Sequence, residues 1–204
     1  MANSLRCLHV ATGNPHKAEE FQRLADESGL SLQLLPAVRM PEVAEDTGTF
    51  AGNARKKALA LKALLAPDAW VLADDSGVCV DALGGAPGVE SAYFAGPHHD
   101  SAANLQKLVK VMRPVPADRR GASFLCVLVL LGPDKAEHVF EGRCKGTLRV
   151  QPVGGNGFGY DPLFEPAGFT QTYAELDAAT KNKISHRGRA WLKLVEATKA
   201  GLFA

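Results

Sequence analysis

A chain of 204 residues is long enough to bury one substantial α/β core, or two small ones that share it. With 46% apolar residues and a formal charge of +1, the composition argues against bulk attraction to a nucleic-acid backbone or an anionic membrane, so any anion site must be local. No apolar run approaches membrane-spanning length, and the opening "MANSLRCLHVATGN" is too short in apolar residues for a signal peptide. Cys7, Cys79, Cys126 and Cys144 are scattered with no CxxC spacing, which reads as reduced, mostly buried thiols of a cytosolic protein.

The spacing predicts a strand over Leu5–Ala11 that ends in the turn "TGN". Asn14 can cap the helix that follows, Pro15 suits its first position, and Ala18, Phe21, Leu24 and Ala25 recur at helical spacing up to Gly29. A strand follows around Ser31–Leu35. "EDTGTFAGNARKKALALKALLAP" reads as a loop and a second helix stopped before Pro67. "AWVLADDSG" is a short apolar run closed by acids and a glycine, hence a strand with polar residues at its C-terminal end. "DALGGAPGVESAYFAG" is a Gly/Pro-rich loop tipping into a short helix, and Ala102–Met112 is helical by periodicity. "ASFLCVLVLLG" is a continuous apolar run, expected to be a central strand covered on both faces. "HVFEGRCKGTLRV" predicts a strand, a turn and a second strand. The chain closes with "KNKISHRGRAWLKLVEATKAG", a final helix that Ser185 can cap. Helices interleaved with strands from the start predict an α/β fold with a mixed sheet.

Several segments carry residues suited to chemistry. In "VATGNPHK", a strand runs through a tight turn into a helix N-terminus, offering free backbone N–H groups and a dipole to an anion, with Lys17 one turn in. Neither GxxxxGK[ST] nor GxGxxG is present, and a plain turn is the competing reading. Phe50, Ala54, Lys57, Leu61 and Leu64 form one helical stripe, so Lys57 projects from the apolar side and either snorkels or neutralises an anion; Arg55 and Lys56 read as solvated charges. Asp74 and Asp75 are neighbours in a strand and so point to opposite faces, one able to hold Mg²⁺ while the other braces the turn. With Ser185 as cap, His186 and Arg187 fall in a helix's first turn, where the dipole disfavours positive charge, so an acceptor-rich partner is expected. "GNGFGYDPLF" holds Phe158 and Tyr160 on a glycine-rich backbone: either a packed turn, or rings against a flat ligand.

In chain order, "ATGNPHK", "EDTGTFAGNARKKA", "LADDSG", "LGGAPGVESA", "GNGFGYDPLF", "YAEL" and "KNKISHRG" together resemble the non-canonical purine nucleoside triphosphate pyrophosphatases, the dITP/XTP (inosine triphosphatase) family, over nearly the whole chain. The resemblance implies one domain spanning residues 1–204: an elongated α/β structure, a long mixed β-sheet flanked by helices, two lobes with the active cleft between them, and a cytoplasmic homodimer. It implies Mg²⁺-dependent hydrolysis of ITP, dITP or XTP to the monophosphate and pyrophosphate, with no nucleic-acid or membrane partner. Carried over by position, Thr12, Gly13, Asn14, Pro15, His16 and Lys17 resemble the phosphate-binding segment, and Lys57 a second phosphate lysine. Asp75 matches the general base and a metal ligand, Ser76 a substrate contact, and Glu45 or Asp46 a second metal-linked carboxylate. Phe158, Gly159, Tyr160, Asp161, Lys181, His186 and Arg187 match substrate-recognition positions, with Phe158 favoured as the stacking ring. One departure is Tyr93, where bacterial members commonly carry arginine.

The implied mechanism is in-line attack of a carboxylate-oriented water on the α-phosphorus. It expects the lysines and the metal to keep Asp75 near its ordinary pKa. Two rivals stand beside it. One is a nucleotide- or RNA-binding module using the basic C-terminal run and the aromatics, against which the near-neutral charge speaks. The other is a pyrophosphatase for damaged pyrimidine nucleotides.

Overall fold

A computed structural model describes residues 6–133 and 136–203 of the chain. Leu5, at the start of the first expected strand, lies outside the described residues. The elements run β1 (Arg6–Ala11), α1 (Pro15–Ser28), β2 (Leu32–Pro36), α2 (Phe50–Lys62), β3 (Trp70–Val80), α3 (Ser101–Met112), β4 (Gly121–Leu131), β5 (Glu137–Leu148), β6 (Phe164–Pro166), α4 (Ala178–Ile184) and α5 (His186–Lys199). The strands form one sheet in the order β2-β1-β3-β4-β5-β6. β1 pairs parallel to β2 and β3, while β6 runs antiparallel to β5, so the sheet is mixed as expected. β4 is a central strand, buried along nearly its whole length.

The chain separates into two compact units. One takes in the chain up to Asp75, then Cys126–Glu141 and the segment from Ala190 onward; the other is Ser76–Leu125 with Gly142–Arg189.

In the first unit the sheet is covered on both faces, and the period-2 alternation of its strands sorts the side chains. Leu8, Val10, Leu72, Cys126, Leu128 and Leu130 pack with Phe21, Leu24 and Ala25 of α1 and with Trp191 and Leu194 of α5. Val71, Ala73, Val129 and Leu131 pack with Ala54, Ala58 and Leu61 of α2. Burial on this scale stabilises by about 25 cal/mol per Å² of apolar surface removed from water. The alternation also fixes where the acids of β3 go: Asp74 follows Leu72 onto the α1 face, and Asp75 follows Ala73 onto the α2 face. α1 begins as its sequence predicts, with Pro15 first, Asn14 as cap and Gly29 closing the helix in the left-handed conformation at φ 66°. Leu64, expected in the buried stripe of α2, lies past the helix end and is exposed.

The second unit has an aromatic core. Phe124 meets Phe164 edge-on with ring centroids 4.9 Å apart, and Tyr173 lies against both, among Val78, Val80, Leu148 and Leu163. The buried Arg120 guanidinium donates to the carbonyls of Met112, Leu148 and Arg149, tying the end of α3 to the end of β5.

Three expectations are corrected. The strand carrying Asp74 and Asp75 does not end there; it continues through "SGVCV" to Val80, because the burial of Val78 and Val80 outweighs the cost of acids within the strand. "HVFEGRCKGTL" is one continuous strand: Gly142 and Gly146 sit inside it, and Gly146 faces Pro166 of β6 in close pairing. The last helix is two helices broken at Ser185, whose backbone is extended (φ −68°, ψ 160°). Ser185 Oγ accepts the Gly188 N–H at 3.1 Å, so it does cap α5. A Cβ at position 188 would overlap the Asn182 carbonyl oxygen, which is why the two helices can meet so tightly only at glycine. The Gly/Pro-rich middle contributes 3₁₀ turns at Asp81–Leu83 and Gly88–Tyr93.

All four cysteines are free thiols; Cys126 and Cys144 are buried, Cys79 is half-buried, and Cys7 is exposed. Among the described residues no helix is long and apolar enough to cross a membrane.

Candidate active site

In the first unit, lysines and carboxylates from distant stretches of sequence converge. Asp74 Oδ2 pairs with Lys17 Nζ at 2.9 Å. On the other face of β3, Lys57 Nζ lies 2.9 Å from Asp75 Oδ1 and 2.7 Å from Glu45 Oε2. The opposite-face reading of the two aspartates therefore holds, and Lys57 is a buried charge partner rather than a snorkelling one. Asp46 goes elsewhere: its carboxylate is exposed and bonds Lys56 at 2.6 Å. Of the two acids left open by the sequence, Glu45 is the one beside Asp75.

The turn before α1 is partly spent on itself. Asn14 Oδ1 accepts the N–H groups of His16 at 2.9 Å and Lys17 at 3.3 Å. Those two amides are therefore not available to an anion as the sequence reading expected, and the charge of this turn comes from Lys17.

Burial pushes the Asp75 carboxyl up to about 6; Lys57 and Lys17 pull it down and Glu45 adds to the rise. In the protein alone the lysines are outweighed by the loss of water; the sequence expectation of an ordinary value counted a bound metal as well. Burial also opposes the Lys57 ammonium, yet Asp75, Asp74 and Glu45 together hold its pKa above the usual lysine range.

The donor set fits a hard divalent cation. Two lysines face three carboxylates, so the cluster carries one negative charge in excess. Asp75 and Glu45 approach the same ammonium, so the two carboxylates face one cationic position. Among the described residues no three His, Cys, Asp or Glu side chains form a metal cage. Mg²⁺ is ordinarily held by one or two carboxylates and completed by water and substrate phosphates, which needs no such cage.

The second unit holds the remaining predicted residues, and its Gly-aromatic turn is built around Asp161. Asp161 Oδ2 accepts the Phe158 N–H at 2.9 Å and the Lys181 ammonium at 2.7 Å. Gly157 has φ 73°, and a Cβ there would collide with the same carboxylate. The two rings divide the alternatives between them. Tyr160 is buried in the core, its hydroxyl donating to the Ser91 carbonyl at 2.7 Å: that is the packed turn. Phe158 is half-buried, with Lys181 Nζ 5.4 Å and the Arg187 guanidinium 5.9 Å from its ring centroid.

Arg187 and His186, in the first turn of α5, are both buried. Arg187 Nη2 donates to Ser76 Oγ at 3.0 Å, and the His186 ring stacks on Phe124 with centroids 4.7 Å apart. Gly159 lies in the same turn as Phe158, at φ 63°. Tyr93, in the place where arginine is common, packs against His99 with ring centroids 4.1 Å apart.

Sequence reasoning missed Asn53. It is wholly buried on α2, and its Nδ2 lies 3.3 Å from Asp75 Oδ2. Its place four residues before Lys57, on the same helical face, was the signal that could have found it.

An α/β sheet that buries a lysine–carboxylate cluster, in a chain that also gathers cationic side chains about an aromatic ring, defines a protein built to handle a phosphorylated aromatic ligand. The chain belongs to the Ham1 family, whose model matches residues 8–197. It is 57% identical over 196 residues to the dITP/XTP pyrophosphatase of Opitutus terrae, covering 93% of this chain and 97% of that one. It is 46% identical to the dITP/XTP pyrophosphatase of Streptomyces avermitilis, over 94% of this chain and 96% of that one. Among solved structures, a HAM1 protein from Coxiella burnetii superposes with a TM-score of 0.83 at 35% identity, covering 96% of this chain and all of the other.

Proposed function

We propose that this protein hydrolyses ITP, dITP and XTP to the nucleoside monophosphate and pyrophosphate, removing deaminated purine nucleotides before they enter DNA or RNA. The observation that carries the reading is the buried Asp75, raised to about 6 and bonded to Lys57, in a chain whose relatives bear the name dITP/XTP pyrophosphatase.

Lys17 and Lys57 neutralise the triphosphate as charge builds on the departing pyrophosphate. Thr12, Gly13, Asn14, Pro15 and His16 shape the turn that presents Lys17. Asp75 orients the attacking water and takes its proton, being a carboxylate that accepts one at neutral pH. The P–O bond between the α-phosphorus and the bridging oxygen breaks as water oxygen joins the α-phosphorus, and pyrophosphate leaves. Asp75 and Glu45 would hold Mg²⁺, which when bound polarises phosphate oxygens; Asp46 is the less suited carboxylate because it pairs with Lys56 at the surface.

Base selection falls to the second unit. Phe158 offers a face for the purine, and His186, Arg187 and Lys181 offer donors, with Ser76 and Asp161 fixing Arg187 and Lys181. Hypoxanthine and xanthine carry a 6-oxo acceptor where adenine carries an amino donor, so a donor-lined site leaves groups unpaired against adenine. The same reading takes the protein as a cytoplasmic, Mg²⁺-dependent homodimer that acts on a small molecule; sedimentation at micromolar concentration should give twice the chain mass.

The test is a substrate panel with Mg²⁺. dITP and XTP should be turned over far faster than dATP, and equal rates would defeat the base-selection argument; guanine shares the 6-oxo group, so slow turnover of dGTP requires refusal at its 2-amino group. Preferential turnover of oxidised or deaminated pyrimidine nucleotides would favour the pyrimidine rival instead.

A further inference from the structure

Both carboxylate oxygens of Asp75 are held from a single helix. Lys57 Nζ donates to Oδ1 at 2.9 Å and Asn53 Nδ2 to Oδ2 at 3.3 Å. Positions 53 and 57 stand one turn apart on α2, so both side chains reach the same strand. The lysine supplies charge. The amide supplies direction, and its other end is occupied too: Asn53 Oδ1 accepts the Thr47 hydroxyl at 2.7 Å and the Thr47 N–H at 3.2 Å.

This double engagement settles which way the amide faces. Turned over, its oxygen would meet the Asp75 carboxylate and its NH₂ would meet the Thr47 N–H, so the bonds to both would be lost. Thr47 lies two residues beyond Glu45, in a stretch with no regular secondary structure. Its approach to Asn53 needs room that position 52 provides, since a Cβ there would strike the Thr47 side chain. A closed ring of contacts results: Asp75 to Asn53, Asn53 to Thr47, along the chain to Glu45, Glu45 to Lys57, and Lys57 back to Asp75.

We propose that Asn53 is a positioning residue for hydrolysis: it sets the rotation of the Asp75 carboxylate and ties it to the segment carrying Glu45, so that the two acids keep their separation through the reaction. The proposal rests on the reading of Asp75 as the catalytic carboxylate. A helix-borne amide suits this task because it donates without charge. An aspartate at the same place would set a second anion against Asp75, and a shorter side chain would reach neither partner. Small displacements of a catalytic group are costly, about 100-fold in rate for about 1 Å.

The experiment compares Asn53→Ala and Thr47→Val with the unaltered protein, reading kcat and KM for dITP at saturating Mg²⁺, with thermal unfolding alongside. Asn53→Ala should lower kcat about 10- to 100-fold with KM within about threefold, because at saturating Mg²⁺ the lost rotation of Asp75 falls mainly on the attacking water, while Lys17 and Lys57 still hold the phosphates. Thr47→Val should lower kcat in the same direction by a smaller factor, and it carries the kinetic test if Asn53→Ala does not fold. Unchanged kcat in folded protein, or a loss confined to KM, overturns the proposal. A second readout needs no turnover: in metal-free protein the Asn53 side-chain NH₂ should be protected from hydrogen exchange by NMR and lose protection in Asp75→Ala. Fast exchange in the unaltered protein overturns the proposal as well. Full turnover by Asp75→Asn would instead remove the reading beneath it, whereas an inactive Asp75→Asn beside a fully active Asn53→Ala defeats this inference alone.

Discussion

Replacing Asp161 by asparagine isolates one charge in the Gly-aromatic turn. The substituted amide can still turn its oxygen to the Phe158 N–H and to Lys181, so shape and hydrogen bonds survive while the negative charge does not. The Lys181–Asp161 pair is 2.7 Å apart, with side-chain exposures of 9% and 5%, so water screens it little. Removing one partner of a buried pair typically costs about 3–5 kcal/mol, because an ammonium remains without its counter-charge. For a chain of this size about 1 kcal/mol moves Tm by about 2–4 °C, so a loss of about 4 kcal/mol lowers Tm by about 8–16 °C. Lys181→Met alone should cost a similar amount, for it strands the carboxylate. The double variant should recover most of the loss, leaving a coupling of about 2 kcal/mol or more. Calorimetry with urea unfolding completes the cycle, and KM for dITP should rise in both single variants, since Lys181 either loses its counter-charge or is itself removed from beside Phe158. A double variant as unstable as the two single losses summed would refute the reasoning, as would single losses below about 0.5 kcal/mol.

Other outcomes follow from the same geometry. Asp75→Asn should abolish turnover while nucleotide still binds, measured by calorimetric titration; full activity would remove Asp75 from the chemistry. For stability, the Asp75 pKa is raised in the folded chain above its ordinary 3.8, so the folded state binds the proton more tightly. That contribution is present at low pH and is lost as pH rises from about 4 through about 6. In metal-free protein, Asp75→Asn should therefore gain stability relative to the unaltered chain over that interval, by on the order of 2–3 kcal/mol. A flat difference in Tm between about pH 4 and about pH 7 would contradict the assignment. Gly188→Ala should cost on the order of 3 kcal/mol and lower activity, since the overlap with the Asn182 carbonyl moves the helix turn that carries His186 and Arg187. An unchanged Tm would show that the α4–α5 junction yields freely.

Local signals carried the sequence a long way where chemistry and structure are both local. Asn14, Pro15 and Gly29 announced α1, and the apolar run of β4 announced a doubly covered strand. Alternation alone separated Asp74 from Asp75. The failures have a common physical cause, which is compensation from afar. Acids within β3 looked like a strand end because their partners, Lys17 and Lys57, come from other helices. Asn53 carries no local mark of its own, because its role depends on Asp75 and Thr47 together. Ser185 announced the start of α5 as its cap, but α4 before it went unseen, because the close seat of Gly188 on Asn182 that joins the two helices is not a local signal. The sequence favoured Phe158 over Tyr160 as the stacking ring; the Ser91 carbonyl that takes the Tyr160 hydroxyl supplies the reason.

The most direct test of the central claim is hydrolysis of dITP in H₂¹⁸O with Mg²⁺, followed by mass spectrometry of both products. Attack at the α-phosphorus with pyrophosphate as leaving group predicts equal amounts of dIMP and pyrophosphate, with ¹⁸O in dIMP alone. Label in pyrophosphate, or stepwise release of orthophosphate, would contradict it.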